Sequence, residues 1–260
     1  MPYIESDGVK IFYVKHGDGD ETIFFVHGLG ESHETWKEQL TFFPNKGYKT
    51  IAIDLRGHGK SEIPKKKIKI EDFANDVLSV IKSEGLSKVH FCGYSMGALV
   101  LFELYEKNPE YFKSFVVEAA VPQYPPAQTS LLENMSMDEI ARQVADFAVS
   151  PEAPDELKDD IYKIISKTDK EIYIESAEAA CSKDYRDLLP KIKVPTLIIS
   201  GEIDYISPPE AAYNMGKLIS NSKVVIFEKT GHMPHRENPK KFNETLFSFF
   251  KHLKGGTSEK

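Results

Sequence analysis

The stretch that most constrains this chain is residues 88–105, KVHFCGYSMGALVLFELY. Val89 to Cys92 is an apolar run of strand length, and Ala98, Leu99, Leu101, Phe102, Leu104 and Tyr105 give the following segment helical character. Between them stands Gly93-Tyr94-Ser95-Met96-Gly97, a G-x-S-x-G pentapeptide with serine at its apex. So sharp a turn strains the serine backbone, and side chains at 93 and 97 would collide with the adjoining strand and helix. The result is an exposed hydroxyl at a helix N-terminus, where backbone N–H groups face any negative charge that develops. In strand–turn–helix context this is a nucleophile elbow. Taken alone, the pentapeptide also reads as an ordinary Gly/Ser turn, and the rest of the chain has to decide.

The segments around it repeat one rhythm. Val9, Ile11 and Tyr13 alternate with Lys10, Phe12 and Val14, an edge hairpin strand that closes at His16-Gly17-Asp18-Gly19. Ile23–Val26 is a second strand, followed by His27-Gly28-Leu29-Gly30, and Trp36–Phe43 a short helix. Thr50–Ile53 leads into Asp54-Leu55-Arg56-Gly57-His58-Gly59. Ile70, Phe73, Ala74, Val77, Leu78 and Ile81 recur at helical spacing up to Gly85, and Phe115–Val117 is a strand after the elbow helix. This alternation predicts an α/β fold, a mostly parallel sheet with helices on both faces, and ligands at the carboxyl ends of its strands. His27, Asp54 and Ser95 all fall there.

After Val121 the rhythm breaks at Pro122, Pro125 and Pro126. Residues 131–185 are rich in Glu, Asp, Lys and Ala, with one weak strand signal at Ile172-Tyr173-Ile174. Residues 122–185 therefore read as a helical insertion, with 1–121 and 186–260 forming the core. Its apolar residues, Leu131, Leu132, Met135, Ile140, Val144, Phe147, Leu157, Ile161, Ile164 and Ile165, serve mostly to glue it to the core. Thr196–Ile199, a helix near Pro209–Ile219, Val224–Phe227 and a helix over Pro239–His252 complete the pattern, and the tail GGTSEK is expected to be disordered.

A net charge of −7 implies no broad basic surface, which argues against nucleic acid, and Lys65-Lys66-Lys67 with Lys69 reads as a solvated loop. Two cysteines, Cys92 and Cys181, make no disulfide framework and suit free thiols in a reducing compartment. Neither a signal peptide nor an apolar run long enough to span a bilayer is apparent, so a cytoplasmic location is expected.

A serine needs an imidazole to take its proton, and the imidazole an acid to fix its tautomer; around an elbow they follow in the order serine, acid, histidine. Gly201-Glu202-Ile203-Asp204-Tyr205-Ile206-Ser207-Pro208 and Gly231-His232-Met233-Pro234-His235 both stand directly after strands and offer these groups. His27, His58 and Asp54 read as braces of turns. His232 and His235, three apart, could hint at a metal, but no ligand cluster accompanies them and no metal is expected.

With HGLG at 27–30, DLRGHGKS at 54–61, GYSMG at 93–97, PTLIISGEIDYISP at 195–208 and GHMPHRENP at 231–239, the chain resembles the α/β-hydrolase superfamily over nearly its whole length. Within it the chain is similar to small carboxylesterases and 3-oxoadipate enol-lactonases, although Ala98 stands where many such sequences carry another glycine. The resemblance implies a helical cap at 122–185, Ser95 as nucleophile, Asp204 as acid and His232 as base, with Glu118, after the Phe115–Val117 strand, as the alternative acid because that position supplies it in some members of the fold. It also implies an oxyanion hole from the backbone N–H groups of Leu29 and Met96, and no cofactor. Trp36, Met96 and Met233 are expected to wall the substrate pocket. The activity implied is carboxylesterase action on a small-molecule ester of short to medium acyl length. An enol-lactonase-like lactone hydrolase and a non-turnover ligand receptor on the same fold are the alternatives. Serine at 95 disfavours the aspartate-nucleophile dehalogenases and epoxide hydrolases.

Overall fold

The computed structural model describes residues 3–255. Within them eight strands form one sheet: β1 Tyr3–Ser6, β2 Val9–His16, β3 Glu21–Val26, β4 Tyr48–Ile53, β5 Val89–Tyr94, β6 Phe112–Glu118, β7 Thr196–Gly201 and β8 Ser222–Phe227. Their order is β1-β2-β4-β3-β5-β6-β7-β8, antiparallel at β1–β2 and β2–β4 and parallel from β4 onward. The central strands are buried on both faces. Ile23 and Phe25 enter one core layer, and Phe24 and Val26 enter the other. That two-sided burial makes the sequence runs continuously apolar rather than alternating.

Against one face lie α2 (Ile70–Ser83), α3 (Met96–Lys107) and α8 (Pro209–Leu218). The other carries α1 (Lys37–Phe42) and α10 (Pro239–Gly255). The chain leaves β3 toward the second face and β5 toward the first. The loops after these two neighbouring strands therefore part and leave a crevice at their carboxyl ends, the usual place for a ligand in such a sheet.

Two local expectations are corrected. The hairpin of Val9–His16 is made with β1 through Asp7-Gly8, both at positive φ, while β4 separates β2 from β3, so His16–Gly19 is a crossing loop and not a hairpin turn. At four residues, β1 is too short to announce itself. The Ile172-Tyr173-Ile174 run lies inside a helix, α7 (Lys170–Ala180), because Asp169 caps the N–H groups of Glu171 and Ile172 and starts a helical turn. Of the tail, Gly255 closes α10, and residues 256–260 lie outside the described residues.

Between β6 and β7 stand α4 (Thr129–Glu133), α5 (Met137–Phe147), α6 (Asp155–Ile165) and α7. A capping box between Ser136 and Glu139 starts α5. Tyr173 and Ile165 close on the Gly30 turn, and Ile172 closes on Gly57, so this helical segment rests on the loops after β3 and β4. Ile140, Ile161, Ile164 and Ile165 are buried, as glue residues should be. Leu131 and Phe147 depart from that expectation, at 60% and 70% exposed. The buried stripe of α5 runs through Ile140, Ala141 and Ala145 toward Ala148 and leaves Phe147 at its edge.

Candidate active site

The elbow has the backbone its glycines anticipate. Ser95 sits at φ 51° and ψ −118°, a strained conformation for a residue with a side chain. A β-carbon on Gly97 would lie 2.3 Å from the Val26 carbonyl oxygen, and one on Gly93 would lie 2.6 Å from that of Gly97. Only glycine lets the elbow press this closely on the end of β3. Ser95 is also the one residue of the pentapeptide that is not buried.

Ser95 meets His232 and Asp204 in one row. The Ser95 Oγ lies 3.0 Å from His232 Nε2, and His232 Nδ1 lies 2.8 Å from Asp204 Oδ2. Asp204 further accepts hydrogen bonds from the N–H groups of Ile206 and Ser207 and from the Ser207 hydroxyl, at 2.8, 2.9 and 2.6 Å. Burial pushes its carboxyl pKa up, but the hydrogen bonds and charge of His232, with those of Ser207, outweigh that and leave it below its ordinary value. An ionised Asp204 can only accept. It therefore fixes the proton of His232 on Nδ1 and turns the Nε2 lone pair toward the Ser95 hydroxyl. The Ala148 carbonyl accepts the His232 N–H at 2.7 Å, which ties the histidine turn to the segment after α5.

The alternative acid is engaged elsewhere. Glu118 Oε1 accepts both the backbone N–H and the ring Nδ1–H of His235, each at 2.9 Å, and this pair is sealed from solvent. Burial drives the Glu118 pKa well above the carboxylate range and holds His235 down to about 3. The Nε2 of His235 lies 2.9 Å from the Thr35 hydroxyl, which in turn lies 3.2 Å from Glu31. Glu31 also accepts the Gly28 N–H, while its own N–H bonds the Gly28 carbonyl, so the turn carrying Leu29 is clamped twice. His232 and His235 thus aim at different carboxylates. Among the described residues no cluster of His, Cys, Asp and Glu is arranged to hold a metal ion.

The apolar wall is where the sequence reading fails. Trp36 is 0% exposed, packed on Phe25, His235 and Phe242, and Met96 and Met233 are each 1% exposed. A side chain with no accessible surface cannot line a space that admits even water, so these three are core residues in this conformation. Leu29, Ser95 and Tyr124 keep partial exposure at the rim. His27 accepts the Leu55 N–H and its ring bonds the Gly28 carbonyl, while Asp54 accepts from His33 and Lys60. Both hold turns together.

Tyr124, Ser207, Glu31 and the Glu118–His235 pair escaped the sequence reading. Asp204-x-x-Ser207 is a recognisable local pattern in which a short side chain binds backbone three residues on, and it could have been found. Tyr124, in a run of prolines, carries no such signal.

The family profile of the serine aminopeptidases, S33, matches residues 17–239. The chain belongs to that family of α/β-hydrolases. It is 26% identical to 3-oxoadipate enol-lactonase 2 of Acinetobacter baylyi, over 95% of this chain and 96% of that protein. Among solved structures it is similar to an esterase from Exiguobacterium antarcticum, with a TM-score of 0.91 and 26% identity over 96% of this chain and 99% of the other. It is also similar to an enol-lactonase from Burkholderia xenovorans, with a TM-score of 0.89 and 25% identity over 96% and 100% of the two chains. As a family member the protein is a hydrolase. No helix among the described residues is long and apolar enough to cross a membrane.

Proposed function

We propose that the protein is a serine carboxylesterase that works through an acyl-enzyme on neutral esters of short to medium acyl length. The observation that carries this reading is the hydrogen-bonded row Ser95–His232–Asp204, which ends at the one residue of the elbow that is not buried. His232 Nε2 takes the Ser95 proton as Oγ bonds to the ester carbonyl carbon, and the N–H groups of Leu29 and Met96 receive the oxyanion. The imidazolium then protonates the alcohol oxygen as its bond to carbon breaks. The same imidazole then takes a proton from water as the water oxygen bonds to the acyl carbon; the bond from that carbon to Ser95 Oγ breaks, the acid leaves, and the imidazolium returns the proton to Ser95. Residues 122–185 act as the cap over this reaction, with α7 on the rim loops and Ala148 on His232.

The preference for neutral substrates rests on the arginines. The chain has four, and each already holds an aspartate: Arg56 with Asp76, Arg142 with Asp159, Arg186 with Asp184 and Arg236 with Asp160. A substrate carboxylate would have to compete for any of them. The names of the enol-lactonase relatives favour a second reading, lactone hydrolysis by the same machinery.

The test has two arms. A fluorophosphonate probe is expected to add one mass equivalent to the peptide containing Ser95, and Ser95→Ala to abolish it. Values of kcat/KM for p-nitrophenyl esters from C2 to C12 are expected to climb about fourfold per methylene, the worth of ~0.8 kcal/mol of burial, until the cap blocks longer chains. A value for 3-oxoadipate enol-lactone above every ester would establish the second reading instead.

A further inference from the structure

Tyr124 lies in the connection between β6 and α4, and its hydroxyl is 3.5 Å from the Ser95 Oγ. The Ser95 proton is directed to His232 Nε2, which leaves the serine oxygen a lone pair and makes Tyr124 the donor of this contact. Burial raises the phenol pKa well above its ordinary value, so the proton stays on Tyr124 across the working pH range.

Sheet order says which part of a substrate this donor meets. The strands run β3-β5-β6-β7-β8, and Ser95 stands at the end of β5. The Leu29 turn reaches Ser95 from the β3 side, whereas Tyr124 comes from β6, the side from which Asp204 and His232 also arrive after β7 and β8. A carbonyl oxygen directed at the Leu29 and Met96 N–H groups points away from Tyr124. The bond that breaks is turned toward His232, which must deliver a proton to it.

We propose that Tyr124 is a catalytic residue that donates a hydrogen bond to the leaving alcohol oxygen of the ester while His232 protonates it. This rests on the esterase reading given above. In the step concerned, the carbon–oxygen bond of the tetrahedral intermediate breaks and its electron pair moves to the alcohol oxygen. The Nε2 proton of His232 joins that oxygen, and the Tyr124 proton stays on the phenol throughout. The contribution grows with the charge that accumulates on the departing oxygen. It is therefore large for an alkyl alcohol, a poor leaving group, and small for p-nitrophenol, whose ring already disperses the charge.

The experiment compares wild type with Tyr124→Phe on two butyrate esters of equal acyl chain, ethyl and p-nitrophenyl. The expected result is a loss of kcat/KM at least tenfold larger on the ethyl ester than on the aryl ester. Because the readout is a ratio measured on one preparation, any inactive fraction cancels. Tyr124→Gln, which restores a donor at the same place, is expected to recover part of the ethyl-ester rate. Equal losses on both esters would give Tyr124 a packing or oxyanion role and overturn the proposal, as would no loss on either. Wild type that takes the fluorophosphonate at Ser95 but turns over neither ester would overturn the esterase reading itself.

Discussion

Two histidines three residues apart, His232 and His235, each bond a carboxylate through Nδ1, at 2.8 Å to Asp204 and 2.9 Å to Glu118. The carboxylates come from the ends of adjacent strands, β7 and β6. The pairs nevertheless differ in what surrounds the acid. Asp204 has three further donors from Ile206 and Ser207 and lies below its usual pKa, whereas both bonds to Glu118 come from His235 and its Oε2 is buried with no partner. Burial then wins: it pushes the Glu118 pKa well above its ordinary value and holds His235 down to about 3. The lesson is that a histidine–carboxylate contact is not by itself a catalytic device. The number of donors around the acid decides whether it can stabilise an imidazolium. Access at Nε2 decides whether the imidazole can reach a substrate: His232 faces Ser95, and His235 faces Thr35.

The comparison breaks most readily at the acids. Asp204→Asn is expected to lower kcat by about 10⁴-fold, because an amide can present a donor to Nδ1 and turn the His232 tautomer the wrong way. Glu118→Gln keeps an oxygen for the two His235 donors and leaves the Asp204–His232 contact untouched, so a loss under tenfold is expected. Steady-state kinetics on p-nitrophenyl butyrate measures both, and the reverse ranking would make Glu118 the working acid.

Stability sharpens the other side. Glu118→Ala strips the acceptor from two buried N–H groups of His235 and opens a cavity, at an expected cost of about 3 kcal/mol in urea unfolding. A cost near zero would mean that water or a shifted side chain replaces the carboxyl readily.

The same comparison bears on the response to acid. Burial holds His27 and His235 down to about 3 and His58 and His90 to about 4, so all four stay neutral in the fold while an unfolded chain protonates them near ~6.5. A depressed histidine pKa means that the unfolded state binds more protons, and stability falls as pH drops from ~6.5 toward 4. Each such histidine adds up to ~1.4 kcal/mol per pH unit to the slope. The Asp204 contribution is lost only at lower pH, below the ordinary carboxylate value of ~3.9. Urea midpoints at pH 7, 6 and 5 test this, and removal of one buried ring by His235→Gln should flatten the slope. A stability independent of pH over that range would mean that the histidines charge without unfolding.

Much of this molecule is legible in its residues. The parallel strands appear as apolar runs because the central ones are buried on both faces; Phe112–Glu118 shows its apolar part at Phe115–Val117, and the edge strand Ser222–Phe227, only partly buried, still carries Val224–Phe227. The elbow is legible because its steric demand leaves only glycine at 93 and 97. The reading of Ile172–Ile174 failed because three β-branched and aromatic residues carry a strand signal that one capping aspartate overrides. The reading of Trp36 and Met233 failed because an apolar residue next to a catalytic motif looks the same whether it faces a pocket or the core.

What the sequence by itself determined was therefore whatever short-range sterics and strand burial impose: the alternating architecture, the strained serine, and candidate acids and histidines at strand ends. Only the tertiary structure put Asp204 against His232 and Glu118 against His235, set Tyr124 beside Ser95 and joined Glu31 to the turn of Leu29. The reason is distance along the chain. Ser95 and His232 are 137 residues apart and Glu118 and His235 are 117 apart, and no local pattern encodes which ring turns to which partner. That choice belongs to the order of strands in the sheet and to the packing that orients each loop at its rim.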